Sequence, residues 1–238
     1  TNFYQNSQSL SNFQGTVNLN EPDSPEGASN AVKLTKTSAS DQFLTLNWSG
    51  SSLTASTDYA VSLFVKHSGS DVDVRYEYNN SSDWGKGWAA LFQVRSNGVT
   101  ATTVSECTSD VQNYGNGWYR ILVFLETESS ITPTSPANLV RIIGSSGDDL
   151  LVYGAQFEQN SFATSHIKTS GSAVTRLKDS AFGAGSSDLI NSTEGVLYAE
   201  ISALANENTR RISSISDGTT NNTIQLGFLD SATDYKFF

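Results

Sequence analysis

The sequence predicts an all-β protein, with an antiparallel β-sandwich or barrel in front and a smaller β-unit behind it. Three observations carry this: apolar residues recur at every second position in segment after segment, no stretch has helical periodicity, and Ser, Thr, Asn and Gly crowd the connections. At 238 residues the chain is long enough for one large β-domain or two smaller ones.

Taken in order, Asn2-Phe3-Tyr4 opens a first strand, Glu21-Pro22-Asp23-Ser24-Pro25-Glu26-Gly27 is a turn cluster, and Ala31-Val32-Lys33-Leu34 resumes a short strand. Residues 41–48 alternate Leu44, Leu46 and Trp48 against Phe43, Thr45 and Asn47, which sets Trp48 in the core. After a Ser/Gly/Thr loop at 49–57, Tyr59, Val61, Leu63 and Val65 share an apolar face. Residues 71–79 have the cleanest alternation: Val72, Val74, Tyr76 and Tyr78 on one side, Asp73, Arg75, Glu77 and Asn79 on the other. That second face carries both charge signs.

The polar loop 81–87 contains Trp84, and Trp88, Ala90, Phe92 and Val94 then form the apolar face of another strand. Residues 99–107 read as a Thr-rich strand that groups Cys107 with Val99, Ala101 and Thr103, the setting of a packed, inert thiol. A turn cluster at 113–117 precedes 118–125, apolar on both faces as a central strand should be. Segments 138–143 and 150–157 supply the last strands of the first domain, roughly eight or nine in all, each about 5–9 residues long.

Residues 153–176, YGAQFEQNSFATSHIKTSGSAVTR, pass from an apolar run into Ser/Thr/Gly-rich chain, so one domain is expected to end there and another to begin. Beyond it, segments 195–203, 210–216 and 223–229, joined by turns that include Asp217-Gly218 and Asn221-Asn222, read as a β-meander. The expected division is a first domain over 1–167, a linker over 168–193 and an incomplete β-meander over 194–238. Three or four strands cannot enclose two sheets. That, with the absence of methionine even at position 1, leads us to expect a piece of a longer protein.

Two motifs carry a resemblance. Gly154-Ala155-Gln156-Phe157-Glu158 with Ala163-Thr164-Ser165 and Thr169-Ser170-Gly171-Ser172-Ala173-Val174-Thr175-Arg176 is one; Asn116-Gly117-Trp118-Tyr119-Arg120 is the other. Both resemble segments common in bacteriophage tail-fibre and tail-structural proteins, in which the first closes a carbohydrate-binding-module-like jelly roll and leads into a lectin-like sandwich of laminin-G or concanavalin type. The chain departs from that family at His166 and Lys168, where an aromatic residue and a proline are frequent. The resemblance covers the first domain, and implies a virion-surface, extracellular setting, other virion subunits as partners and a homotrimer.

Composition narrows the functions. A formal net charge of −10 with 14 Lys+Arg and no basic run lacks the footprint of a nucleic-acid binder. Cys107 is the single cysteine, so no intramolecular disulfide forms. No stretch approaches the ~20 apolar residues of a membrane-spanning helix. No metal or other cofactor is expected, except that Asp23 and Glu26 in the proline-containing turn are of the type that helps to hold a structural calcium ion, with a solvated turn as the alternative.

No enzyme is expected. Acyl transfer needs an activated nucleophile with a histidine in reach, and His67 and His166 are the two available, one at a strand end and one in the linker. Gly-x-Ser-x-Gly and His-Glu-x-x-His are absent. Paired-carboxylate glycosidase chemistry stays open in principle, as does a catalytic domain outside this chain.

Sugar binding is the expected chemistry: an exposed aromatic ring stacks on a pyranose while polar neighbours satisfy its hydroxyls. Trp84, flanked by Asn79, Asn80 and Asp83 and next to Arg75 and Glu77, is the candidate platform, with Trp88 a weaker member because its alternation groups it with the core. The competing reading is a loop tryptophan folded over the core edge or buried against another subunit. A host surface glycan is thus the expected ligand, and the alternative is a purely structural virion or appendage subunit that uses its β-faces for assembly.

Overall fold

A computed structural model describes residues 1–8, 10–48, 53–78, 81–133, 137–177, 211–216, 223–228 and 235–237. The chain divides into two compact units, Thr1–Arg176 and Leu177–Phe238.

In the first unit the strands are β1 (Thr16–Glu21), β2 (Ala31–Thr35), β3 (Gln42–Asn47), β4 (Asp58–His67), β5 (Val72–Tyr78), β6 (Trp88–Arg95), β7 (Gly98–Ser105), β8 (Thr108–Gly115), β9 (Trp118–Glu126), β10 (Ala137–Ile143) and β11 (Asp149–Glu158), with a single helical turn α1 (Ser81–Trp84). They make a six-stranded sheet, β1-β2-β11-β4-β9-β8, and a five-stranded sheet, β3-β10-β5-β6-β7. The antiparallel pairs β2·β11, β3·β10 and β4·β9 are nested in sequence and fall alternately in one sheet and the other. This is a long hairpin rolled into a sandwich, the jelly-roll plan. In the second unit, β12 (Arg211–Ser216), β13 (Thr223–Phe228) and β14 (Tyr235–Phe237) pair antiparallel in chain order. The segment 195–203 lies outside the described residues.

The alternation read from sequence sets the core. Leu44, Leu46, Val72, Val74, Phe92 and Val94 of the five-stranded sheet are buried against Val61, Leu63, Val65, Ile121, Val123 and Val152 of the six-stranded one. Two strands of the first unit are not anticipated by the sequence, β1 and β8. They are the two edges of the six-stranded sheet, and β8 alternates only between exposed and half-exposed positions before its last residues, all exposed. An edge strand can be polar on both sides, so no apolar period announces it. The strand expected at residues 2–4 is reduced to isolated bridges, Asn2 with Val174 and Tyr4 with Trp48.

Cys107 lies past the end of β7, in the turn to β8, and is half-buried against the core cluster that includes Val99, with Sγ 3.3 Å from the Ala89 carbonyl oxygen that accepts its hydrogen bond. Burial raises its pKa, which favours the protonated thiol over the thiolate.

The linker does not begin at 168. Residues 159–174 fold back over the outer face of the six-stranded sheet, and the polar residues of the Gly-Ala-Gln-Phe-Glu motif hold them there. Gln156 accepts a hydrogen bond from Ile167 N at 2.6 Å and donates to the carbonyls of Thr164 and Ser165. The Glu158 carboxylate accepts from Thr164 N at 2.9 Å and from its hydroxyl at 2.5 Å. Asn2, fully buried, donates to Ala155 O and Ile167 O and accepts from Phe157 N and Tyr4 N, which joins strand, strap and N-terminal segment at one side chain.

The second motif is likewise structural. Asn116 and Gly117 have φ +51° and +78°, the left-handed pair that suits a tight hairpin between twisted strands. Trp118 Nε1 donates to Asp23 O at 2.5 Å, and the buried Arg120 donates to Ser62 Oγ and to Thr164 O at 2.7 Å.

Candidate functional site

The expected aromatic platform is corrected by burial. Trp84 is 0% exposed. The α1 turn crosses one end of the sandwich and drops the indole between the sheets, where it meets Tyr59, Tyr78, Trp88 and Phe157 at centroid separations of 5.5–6.1 Å. Glu128 N donates to Trp84 O at 3.0 Å and Lys86 pairs with Glu128 at 3.3 Å, so the connection after β9 clamps the turn from outside. Asp83 is buried too and accepts a hydrogen bond from the Tyr78 hydroxyl. Trp88 is 1% exposed and faces Tyr76 in the core. None of these three side chains reaches a ligand in solvent. Asn79 and Asn80 lie outside the described residues.

Arg75 and Glu77 are elsewhere, on the outer face of the five-stranded sheet. Strand register places Phe43, Arg141, Arg75 and Leu91 in one row across β3, β10, β5 and β6. The next row runs Thr45, Leu139, Glu77 and Ala89. Two like charges directly opposite across a strand pair repel, and Glu77 resolves this by standing between them: Oε2 is 2.7 Å from Arg75 Nε and Oε1 is 2.6 Å from Arg141 Nη2. Its side chain is 1% exposed although it sits on the solvent side of the sheet. Arg141 also pairs with Asp41 at 3.2 Å, and its guanidinium lies 5.0 Å from the Phe43 ring centroid. One row further, Arg95 pairs with Asp73 at 2.5 Å.

Arg141, Asp41 and Phe43 were not read as site residues. Arg141 is the lone charge in an apolar strand, which marks it as outward-facing, but the pairing of β5 with β10 that brings it to Arg75 spans more than sixty residues and leaves no local trace.

The calcium expectation meets a different arrangement. Glu26 pairs with Lys168 Nζ at 2.6 Å. Burial alone would raise the Glu26 pKa, and Lys168, with hydrogen bonds from Tyr153 and Asn30, outweighs it and lowers it. Asp23 contributes its main-chain oxygen to Trp118. Among the described residues no group of three His, Cys, Asp or Glu side chains is gathered to hold a metal ion. His67 pairs with Asp71 at 3.2 Å, and both His166 nitrogens lack a hydrogen-bond partner among the described residues.

Comparison with known proteins adds little. No protein-family model and no curated protein matches the chain. A solved structure described as "Family 16 Carbohydrate Binding Module-2" is similar over 59% of this chain and 82% of its own length, with 14% sequence identity and a TM-score of 0.32. A likeness this low carries no argument about ligand, and the β-sandwich assignment rests on the strand order and pairing of the chain itself.

Proposed function

We propose that the first unit is a glycan-binding adhesion domain, and that the chain serves on the surface of a phage-like virion as part of a tail fibre, with a host surface glycan as ligand. The virion setting, the homotrimer and the lectin-like character of the second unit rest on the motif resemblance alone. The binding reading is supported by one observation above others: a buried carboxylate, Glu77, on the solvent side of a sheet, ion-paired with two guanidinium groups beside an aromatic ring.

A buried ion pair returns little net stability, because desolvation of the charges offsets their attraction. What Glu77 supplies is orientation. Arginine donors held in place, flanked by Phe43, Leu91 and Leu139, offer hydroxyl groups a polar fork and a pyranose face an apolar surface. The same face suits the assembly alternative, in which it packs on a second subunit.

The test is binding of the chain to immobilised host-surface polysaccharides, with Arg141→Ala alongside and the oligomeric state measured in parallel. We expect binding that falls on the order of tenfold in the variant, the scale of a lost charge-assisted hydrogen bond. Wild-type chain that binds no glycan and self-associates through this face would favour the assembly role.

A further inference from the structure

We infer that this face selects glycans bearing a carboxylate, and that Arg75 is the residue that reads it. The inference rests on the glycan-binding reading and names its substrate class. The three arginines of the face are used differently. Arg141 has one Nη on Glu77 and the other on Asp41. Arg95 has Nη1 on the carbonyls of Val72 and Val94 and Nη2 on Asp73. Arg75 meets Glu77 through Nε alone, as an ion pair without hydrogen-bond alignment, and neither Nη makes a hydrogen bond or ion pair among the described residues. Its side chain is 42% exposed.

The geometry that follows is specific. Nε is buried beside a carboxylate that cannot itself reach solvent, while the side chain as a whole stays exposed, which leaves the two-nitrogen end open to a ligand. That end matches the two oxygens of a carboxylate in parallel hydrogen bonds. The other charges on the face do not compete for it: Asp41 is engaged by Arg141, Asp73 by Arg95, and both Glu77 oxygens face inward to Arg141 and Arg75. Leu91 on one side of Arg75 and Gln93 one row on are half-exposed, an apolar patch and an amide within reach of the sugar ring that carries the acid. A neutral glycan leaves the open fork in water; a uronic-acid-type sugar fills it.

The experiment measures affinity of the chain for an acidic polysaccharide and for the same polysaccharide with its carboxyl groups reduced to alcohols, for wild type, Arg75→Lys and Arg75→Gln. Wild type is expected to bind the acidic form on the order of tenfold more tightly, with a preference that shrinks as salt is raised. Arg75→Lys keeps the charge and loses the fork, so it should lose most of that preference, and Arg75→Gln all of it. Equal wild-type affinity for the two forms, or a full preference in Arg75→Lys, overturns the inference while glycan binding itself stands. Binding of neither form overturns both this inference and the reading beneath it.

Discussion

The His166 ring lies directly over the α-carbon of Gly154: a methyl group placed there would be 3.0–3.2 Å from three atoms of the imidazole. Gly154 has φ +54° and sits where the β4–β11 register shifts, between Tyr153 and Gln156. Backbone conformation and close approach both require glycine at this position. Gly154→Ala should therefore lower unfolding stability by about 1–3 kcal/mol, read as a shifted midpoint in a denaturant titration. An unchanged midpoint would mean that the strap over this face adds nothing to stability.

The same contact predicts a pH dependence. Burial is the main reason that the His166 pKa falls to about 4, with Arg120 and Lys168 pushing the same way and Glu26 opposing. Phe64 and Tyr153 flank the ring. The folded protein holds this imidazole neutral while the unfolded chain takes up a proton near the ordinary histidine value of about 6.5. Its contribution is complete above that value and is lost as pH falls from about 6.5 toward 4. Stability of wild type measured across that range should decline more than that of His166→Phe; parallel curves would remove His166 as the cause.

Trp84→Ala is a core truncation, not a test of a sugar platform. Removal of an indole packed among Trp48, Tyr59, Tyr78, Trp88 and Phe157 should cost about 3–5 kcal/mol, and Trp84→Phe less. Thermal unfolding of the pair checks this. Any loss of glycan binding in Trp84→Ala then has to be judged against the fraction still folded.

Stability and binding should separate at the charged face. Glu77→Gln leaves Arg75 and Arg141 opposed with no charge between them, and we expect a loss of about 3–5 kcal/mol, as when a buried pair is broken. Replacing Arg75, Glu77 and Arg141 together with leucine should recover most of that loss, since an apolar cluster of similar volume substitutes well for a buried ion network. Glycan binding should not recover with it. Urea titrations beside binding isotherms for both variants make the comparison.

Much of the first unit was legible because its strands have one dry face. The period-two pattern at 72–78 and 88–95 anticipates which side chains enter the core, Tyr76, Tyr78 and Trp88 among them. Edge strands β1 and β8 lack that signal, since burial does not impose it on them. Trp84 is ambiguous for a related reason: a tryptophan in a polar loop can face solvent or fold over the core edge, and here a four-residue turn suffices to aim the ring inward across the open end of the sandwich. Arg75 and Glu77 were placed on the correct polar face, but their partners come from β10 and the 41–43 region. That information resides in strand pairing and not in any local window.

The bridge between Asn2 and Val174 has a mechanical consequence. Two backbone hydrogen bonds, Asn2 N to Val174 O at 2.9 Å and Val174 N to Asn2 O at 3.2 Å, join points far apart in sequence. The chain therefore enters and leaves the first unit side by side, like a loop tied at its neck. Tension applied between residues 2 and 174 loads that knot and the Asn2 side chain behind it before it reaches either sheet. A roll tied in this way resists being pulled open from its two ends, and its sheets feel the pull only after the tie gives.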